Sequence, residues 1–284
     1  MQEGTTLEQD NSELNALKKI DETSTKLQKQ GNYLEALECM ERGLVLRQHF
    51  FGTGSKEVWG ACKIIGEMCN LLGMMYLQQG GNFELVLELL KKAEILTERD
   101  ALGRAVTCNN LACYYRRQGQ FRTALQYLQR ALKIESSCPG RVENPADTHL
   151  NTCAVLSQLG RHQNALEHAQ SALILLQEEL FKGLDPNSLK GSVESNGIAN
   201  KQEIPVKLDR IAVLAIAYHN MGVEQEFLKK LDQSMASYTK GLEISDQYLG
   251  PDHKTTITLR NSFIAAKSVI ERKPSNLQSK RTRK

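Results

Sequence analysis

The sequence lacks the motifs and long apolar runs that would assign it to several common protein classes. No window holds eighteen consecutive apolar residues, so no membrane span is expected. It contains neither GxxxxGK(S/T) nor GxGxxG after a strand, and no GxSxG, so neither a nucleotide fold nor a serine hydrolase is indicated. The first residues, MQEGTTLEQDNSEL, are polar and acidic, which is typical of neither a signal peptide nor a basic transit peptide.

Cysteine pairs at metal-binding spacing are also missing. The seven cysteines form no CxxC, and most stand where a helix would bury a small residue, so we expect reduced thiols in a cytoplasmic core. His149, His162 and His168 fall within one repeat, but on two different helices and without Cys or Glu partners at ligand spacing. No metal or other cofactor is therefore expected. The cysteines are Cys39, Cys62, Cys69, Cys108, Cys113, Cys138 and Cys153.

Charge is unevenly distributed along the chain. The net charge is +3, but residues 271–284 carry six Lys or Arg and one Glu, which leaves −2 for residues 1–270. The nearly neutral main part gives no argument for nucleic-acid binding. Three interpretations of the terminal SKRTRK remain open: a nuclear localisation signal, a contact with an acidic protein surface such as that of tubulin, or a solvated end.

What the sequence does contain is a repeat. Only six prolines are present, and five similar stretches recur, each after an apolar segment with helical periodicity. The helix-like segments are 14–29, 58–78, 104–117, 147–158 and 208–228, and the stretches that follow are 30–44, 80–93, 118–132, 159–173 and a degraded copy at 230–242.

The third copy resembles the tetratricopeptide repeat (TPR) family most clearly, in Leu111, Ala112, Tyr115, Gly119, Phe121, Ala124, Leu128 and Ala131. Other copies are looser, because Gly43 and Gly241 replace the last alanine and Ser234 replaces the middle one. Small residues let two helices approach closely while large ones fill the space between them. We therefore predict an all-α, right-handed TPR superhelical solenoid of about five helix pairs, with a C-terminal capping helix at 254–272.

The spacing of a recurring asparagine defines the period and the domain limits. Asn110, Asn151, Asn220 and Asn261 are separated by 41, 69 and 41 residues, against about 34 in a standard repeat. The long spacing predicts an insertion of 28 residues, which we place as a mobile loop at 181–207. The expected organisation is a flexible acidic start (1–13), repeats 1–4 (14–180), that loop, repeat 5 with the capping helix (208–272), and a flexible basic tail (273–284).

A second resemblance is to the TPR domains of kinesin light chains. CNNLACYYRRQGQF (108–121) matches the Asn-Asn-Leu-Ala signature of those chains, and EISDQYLGPDHKTTITLRNS (243–262) is similar to their inter-repeat segment. In that segment Gly250 is expected to stop a helix and Asp252 to cap the next one. The segment before the first repeat is too short for the long coiled coil of kinesin light chains, so the resemblance implies their groove and not their motor binding.

The resemblance implies that the first helix of each pair lines a concave groove. The recurring asparagines would then bond to the backbone of an extended peptide, or instead bond to the neighbouring repeat and fix its position. Both interpretations remain open. Arg116 and Arg117 follow on the same helix and either contact acidic groups of a partner or form a solvated helix end. The candidate partner-binding residues are Asn70, Asn109, Asn110, Arg116, Arg117, Asn151, Asn220 and Asn261.

These observations favour a non-enzymatic, cytoplasmic scaffold or adaptor that binds a protein. The alternative among non-enzymes is a permanent structural subunit of a cytoskeletal or axonemal (ciliary) assembly, which would associate with the cytoskeleton. A third hypothesis, from another class, is an enzyme or a regulatory domain with a small-ligand pocket. The glycine-rich GTGSKEVW (52–59) does not support phosphate binding, because Ser55 is placed to cap the helix that carries Trp59.

Overall fold

The computed structural model describes residues 3–181 and 203–271, with side chains for 14–180 and 208–268. It divides into two compact units, Met1–Glu143 and Asn144–Lys284. Most of the predicted loop at 181–207 and the predicted basic tail at 273–284 lie outside the described residues. Within the described ranges every regular element is a helix, which confirms the all-α class.

Each unit is built from antiparallel helical hairpins. The first unit contains α1 (Glu3–Lys29), α2 (Tyr33–Phe51), α3 (Lys56–Gln79), α4 (Phe83–Leu96), α5 (Ala101–Arg117) and α6 (Phe121–Ser137). The second contains α7 (Pro145–Gln158), α8 (His162–Phe181), α9 (Glu203–Phe227), α10 (Leu231–Leu249) and α11 (Lys254–Glu271). The five predicted pairs and the C-terminal helix are confirmed, although α1 begins at Glu3 and α9 at Glu203, earlier than the predicted starts at 14 and 208.

The turn inside each hairpin has the same backbone geometry. In every copy an amide N–H after the turn donates to a carbonyl five residues earlier, the hydrogen bond of a Schellman helix end. Four turns place a glycine at positive φ, and the fifth places Lys229 there, at φ 63°. The bonds are Asn32 to Leu27, Gly81 to Tyr76, Gln120 to Tyr115, Arg161 to Leu156 and Lys230 to Gln225, at 2.8–3.0 Å.

Small and large residues alternate in the hairpin cores, as the repeat pattern predicts. In the third pair Leu111, Ala112, Ala124, Leu128 and Ala131 are all buried. The Tyr115 ring stacks on Tyr127 across the hairpin, with centroids 5.5 Å apart. In the second pair the absence of a side chain at Gly73 admits Leu90, since a Cβ there would lie 2.9 Å from Leu90 Cδ2. The hairpin cores therefore depend on close helix contact.

Helix ends follow the sequence prediction at one linker and differ at another. The Ser55 side chain accepts a hydrogen bond from the Val58 N–H at 3.2 Å and so caps α3, as predicted. At the start of α11 the expected cap was Asp252, but the acceptor is His253 Nδ1, which takes the Thr255 N–H at 3.2 Å. Because α11 begins at Lys254, the residue directly before the helix is His253 and not Asp252. The histidine ring, instead of the Asp252 carboxylate, therefore accepts a backbone N–H of the first turn.

Candidate functional site

Asn70 and Asn110 lie in a hydrogen-bonded network between two repeats of the first unit. The Asn110 Nδ2 donates to Asn70 Oδ1 at 3.0 Å, and Asn70 Nδ2 donates to Thr107 Oγ1 at 2.8 Å. The Thr107 hydroxyl donates to the Gly103 carbonyl and lies 3.4 Å from the buried Thr97 hydroxyl. Both ends of the Asn70 amide are therefore occupied, and the side chain is 6% exposed. For this residue the geometry matches the inter-repeat interpretation.

The other residues of α5 that the sequence predicts to bind a partner differ in their hydrogen bonds. Asn110 is half-buried and uses only one amide hydrogen in the network, and Asn109 is half-buried and has a contact of its own. Arg117 Nη1 donates to the Leu77 carbonyl at 2.6 Å, satisfying an acceptor in the last turn of α3. Arg116 and Arg117 are both exposed, and they differ in that the Arg117 guanidinium is bonded to the Leu77 carbonyl.

In the second unit the recurring asparagines lie on three different helices: Asn151 on α7, Asn220 on α9 and Asn261 on α11. Asn151 and Asn220 are half-buried, and Asn261 is exposed. Asn220 interacts with its neighbour: burial lowers the pKa of His219, and a hydrogen bond with the Asn220 side chain partly offsets that effect. These asparagines are thus accessible to different degrees.

Three of the asparagines have an exposed aliphatic residue one helical turn before them. Val106, Ile216 and Ile257 stand four residues before Asn110, Asn220 and Asn261, and their side chains are 53%, 39% and 45% exposed. A separation of four residues places two side chains on the same helix face. Each amide therefore has an exposed β-branched side chain beside it. The signal was present in the sequence as a repeated aliphatic-x-x-x-Asn spacing.

Two positions depart from this pairing. Ahead of Asn151 the equivalent residue is Asp147, whose carboxylate accepts from Arg210 Nη1 at 2.9 Å. Arg210 also holds both oxygens of Glu179 at 2.8 Å, so this group joins α7, α8 and α9. In the second copy Leu71 stands where the third has Asn110, nine residues before the turn glycine, and it is 55% exposed.

The remaining candidate groups do not form a metal centre in the part of the chain that is described, where no three His, Cys, Asp or Glu side chains converge. His149 and His168 face each other, with Nδ1 atoms 3.0 Å apart, while His162 pairs instead with the buried Glu224 at 2.8 Å.

All seven cysteines are free thiols, and burial raises the pKa of Cys69 and Cys153 to about 12. None of the described helices has the length and apolar character needed to cross a membrane.

Models of the tetratricopeptide repeat match residues 104–134 and 215–248, one stretch in each unit. Both stretches are therefore tetratricopeptide repeats. The first matched stretch spans α5 and most of α6, and the second runs from within α9 to the end of α10, so both cover a helical hairpin. Repeats of this family generally form protein-binding scaffolds without catalytic activity, and the fold supports that general role here. A comparison with curated proteins found no match.

Solved structures that resemble this chain share little sequence identity with it. The crystal structure of BtubC (BKLC) from P. vanneervenii has a TM-score of 0.56 and 16% identity, covering 82% of this TPR chain and 81% of its own. The nearly identical TPR-like repeats of a Podosopora anserina protein assigned as a kinesin light chain have a TM-score of 0.42 and 17% identity, covering 79% and 96%.

Proposed function

We propose that this TPR protein is a non-enzymatic scaffold that binds an extended peptide, or one helix of a partner, along the first helices of its repeats. The observation that carries the proposal is the exposed aliphatic-amide pair, which recurs in both units: Val106 with Asn110 in the first, and Ile216 with Asn220 and Ile257 with Asn261 in the second.

The chemistry of such a pair suits a polypeptide. A carboxamide both donates and accepts, so it can bond to a peptide N–H or C=O whatever the peptide's side chains are. An exposed aliphatic group beside it gains free energy when a partner side chain covers it, at about 25 cal/mol per Å² of apolar area buried. Together they provide affinity through contact area and orientation through hydrogen bonds.

In the first unit the binding face would extend over α3 and α5, which are in contact. Leu71 on α3 adds a second exposed aliphatic residue to Val106, and Arg116 stands at the end of α5 to pair with a carboxylate of the partner. Asn70 contributes by fixing Asn110, since it accepts the Asn110 amide hydrogen. In the second unit α9 and α11 are likewise in contact and carry two pairs.

The exposed faces indicate what kind of partner this protein binds, and its cysteines indicate where it is located. An aliphatic, weakly charged peptide fits these faces best, and the seven free thiols support a cytoplasmic location. Permanent assembly into a cytoskeletal or ciliary structure would be an alternative use of the same faces. The acidic surface proposed for the basic tail stays a prediction, because residues 273–284 lie outside the described part.

Peptide selection on the full chain tests the proposal. Peptides selected from a random display library are titrated against the wild type and against Val106→Asp and Ile216→Asp. We expect an aspartate in the contact to lower affinity about tenfold, which corresponds to ~1.4 kcal/mol. The matched controls are Val45→Asp and Ile174→Asp, which change exposed β-branched residues on the second helices α2 and α8. Equal losses in test and control variants, or no loss in any of them, would refute binding on the first helices.

A further inference from the structure

A cationic cleft lies between α5 and α6 in the first unit, apart from the proposed peptide-binding faces. It has a volume of about 440 Å³ and is lined by Arg104, Arg130, Lys133, Ile134 and Ser137. Three of these five side chains are cations and none is an acid. The first unit as a whole is neutral, with eighteen Lys or Arg and eighteen Asp or Glu between residues 1 and 143, so the cleft is a local concentration of positive charge.

The cleft is not on the proposed peptide-binding face. Arg104 precedes Val106 by two residues, which corresponds to a rotation of about 200° around the helix. Arg104 therefore faces nearly away from the aliphatic-amide pair on the same helix. A ligand in the cleft and a peptide on the first-helix face would contact different sides of α5.

One carboxylate of the neighbouring helix pairs with two cations of this region. Glu94 on α4 accepts from Arg130 at 3.0 Å and from Lys91 at 2.8 Å, so it is shared between two cations. Burial opposes the charge of Glu94, but hydrogen bonds from Lys91 and Arg130 outweigh it and lower its pKa. Glu94 is therefore ionised at neutral pH, and Lys91 and Arg130 share its single negative charge.

Arg104 and Lys133 have no carboxylate partner among the described contacts. Arg104 Nη1 donates to the backbone carbonyl of Glu98 at 3.1 Å, which fixes the guanidinium without neutralising it. Lys133 is exposed. Glu135 follows Lys133 by two residues on α6 and so points to another side of that helix. Arg130 is held in place by Glu94 and lies over the Tyr127 ring, 5.2 Å from its centroid.

We propose that the cationic cleft binds a carboxylate-rich segment of a partner protein. A guanidinium donates two parallel hydrogen bonds to one carboxylate, and Arg104 and Arg130 are both held in place for this by other contacts. With a volume of about 440 Å³, the open cleft has room for acidic side chains of a partner. Ile134 supplies an apolar wall for the methylene groups of glutamate.

Binding of defined peptides to the full chain tests this assignment. The probe is a fluorescein-labelled peptide of alternating Glu and Ala, and the matched probe has Gln in place of every Glu. We expect the Glu peptide to bind, the Gln peptide not to bind, and affinity to fall steeply with added salt, because exposed charges are screened. The cleft variant Arg104→Gln with Lys133→Gln should weaken binding about tenfold.

The control variant Lys56→Gln with Arg122→Gln removes two exposed cations elsewhere in the first unit and should change affinity less than about twofold. Lys133→Glu provides a second test, because Lys133 is exposed and its replacement leaves the fixed contacts of Arg104 unchanged; it should weaken binding at least as much. Equal losses in cleft and control variants would overturn the proposal. Tighter binding of a single-stranded oligonucleotide, lost in the same cleft variant, would overturn it in favour of nucleic acid.

Discussion

Asn70 on α3 and Asn110 on α5, forty positions apart, share a hydrogen bond of 3.0 Å that joins two successive repeats. The bond continues to the buried hydroxyls of Thr107 and Thr97, the latter donating to the Ala93 carbonyl. Glycines leave the space for this network, since a Cβ at Gly66 would lie 2.8 Å from Thr97 Cγ2. A polar network of this kind sets the position of one repeat on the next.

Replacing Asn70 by alanine should destabilise the protein. The change leaves the Thr107 hydroxyl and the Asn110 amide without their partner in a buried site, and an unsatisfied buried group costs about 1–3 kcal/mol. Asn110→Ala should cost less, because Asn110 is only half-buried and water can replace part of its contact. Urea unfolding followed by circular dichroism measures both, and an unchanged midpoint for Asn70→Ala would show that the network does not stabilise the fold.

Two glycines that replace the last alanine of the repeat should respond differently to restoring alanine. A Cβ at Gly241 would lie 2.9 Å from the backbone carbonyl oxygen of Ala215, which cannot move without shifting α9. Gly241→Ala should therefore cost about 1–3 kcal/mol of unfolding free energy, the range for overpacking. At Gly43 the nearest atom is the end of the flexible Arg47 side chain, at 2.9 Å. Gly43→Ala should be near neutral, because the helix propensity of alanine offsets the adjustment.

Lys229 should be a site where glycine stabilises the chain. It has φ 63° in the turn where Gly31, Gly80, Gly119 and Gly160 stand in the other repeats. A left-handed backbone costs a residue with a side chain roughly 1–2 kcal/mol, although glycine loses more entropy on folding. Lys229→Gly should raise the melting temperature slightly, whereas Lys230→Gly, at φ −87°, should lower it. The opposite order in thermal unfolding would contradict this explanation.

Stability should fall as the pH drops below neutral because of the histidine pair in the fourth repeat. Burial, and to a lesser degree the charge of His168, lower the pKa of His149 from 6.5 to about 4. The unfolded chain therefore binds more protons than the folded chain between these values, and the stabilisation present above pH 6.5 is lost as the pH falls towards 4. Unfolding midpoints at several pH values should show a smaller decline for His149→Gln than for the wild type.

The matched control for this experiment is His49→Gln, since His49 is exposed on α2. That variant should keep the wild-type dependence on pH. If His149→Gln follows the same pH curve as His49→Gln, the pair is not responsible for the decline.

The candidate site was predictable only in part. The repeat spacing predicts that the asparagines lie on the first helices. It also gives two alternatives for their hydrogen bonds, to a bound peptide or to the neighbouring repeat. Asn70 and Asn110 bond to each other between two repeats, whereas partner binding by Asn110, Asn151, Asn220 and Asn261 stays a prediction. Arg116 and Arg117 were equivalent in the sequence and both are exposed, but only for Arg117 does a described contact hold the guanidinium, at the Leu77 carbonyl. This distinction depends on where the end of α3 lies, which local spacing does not encode.

The sequence alone determined the helical hairpins, because their causes are local. Each repeat contains alternating small and large residues, such as Ala124 and Leu128, and a turn glycine such as Gly119. These residues act within one repeat, so each copy specifies its own hairpin. The tertiary structure alone decided which polar groups bond between repeats and which charges collect in one place. Arg104 and Arg130 lie on different helices, and their meeting depends on how those helices rotate when their apolar faces pack.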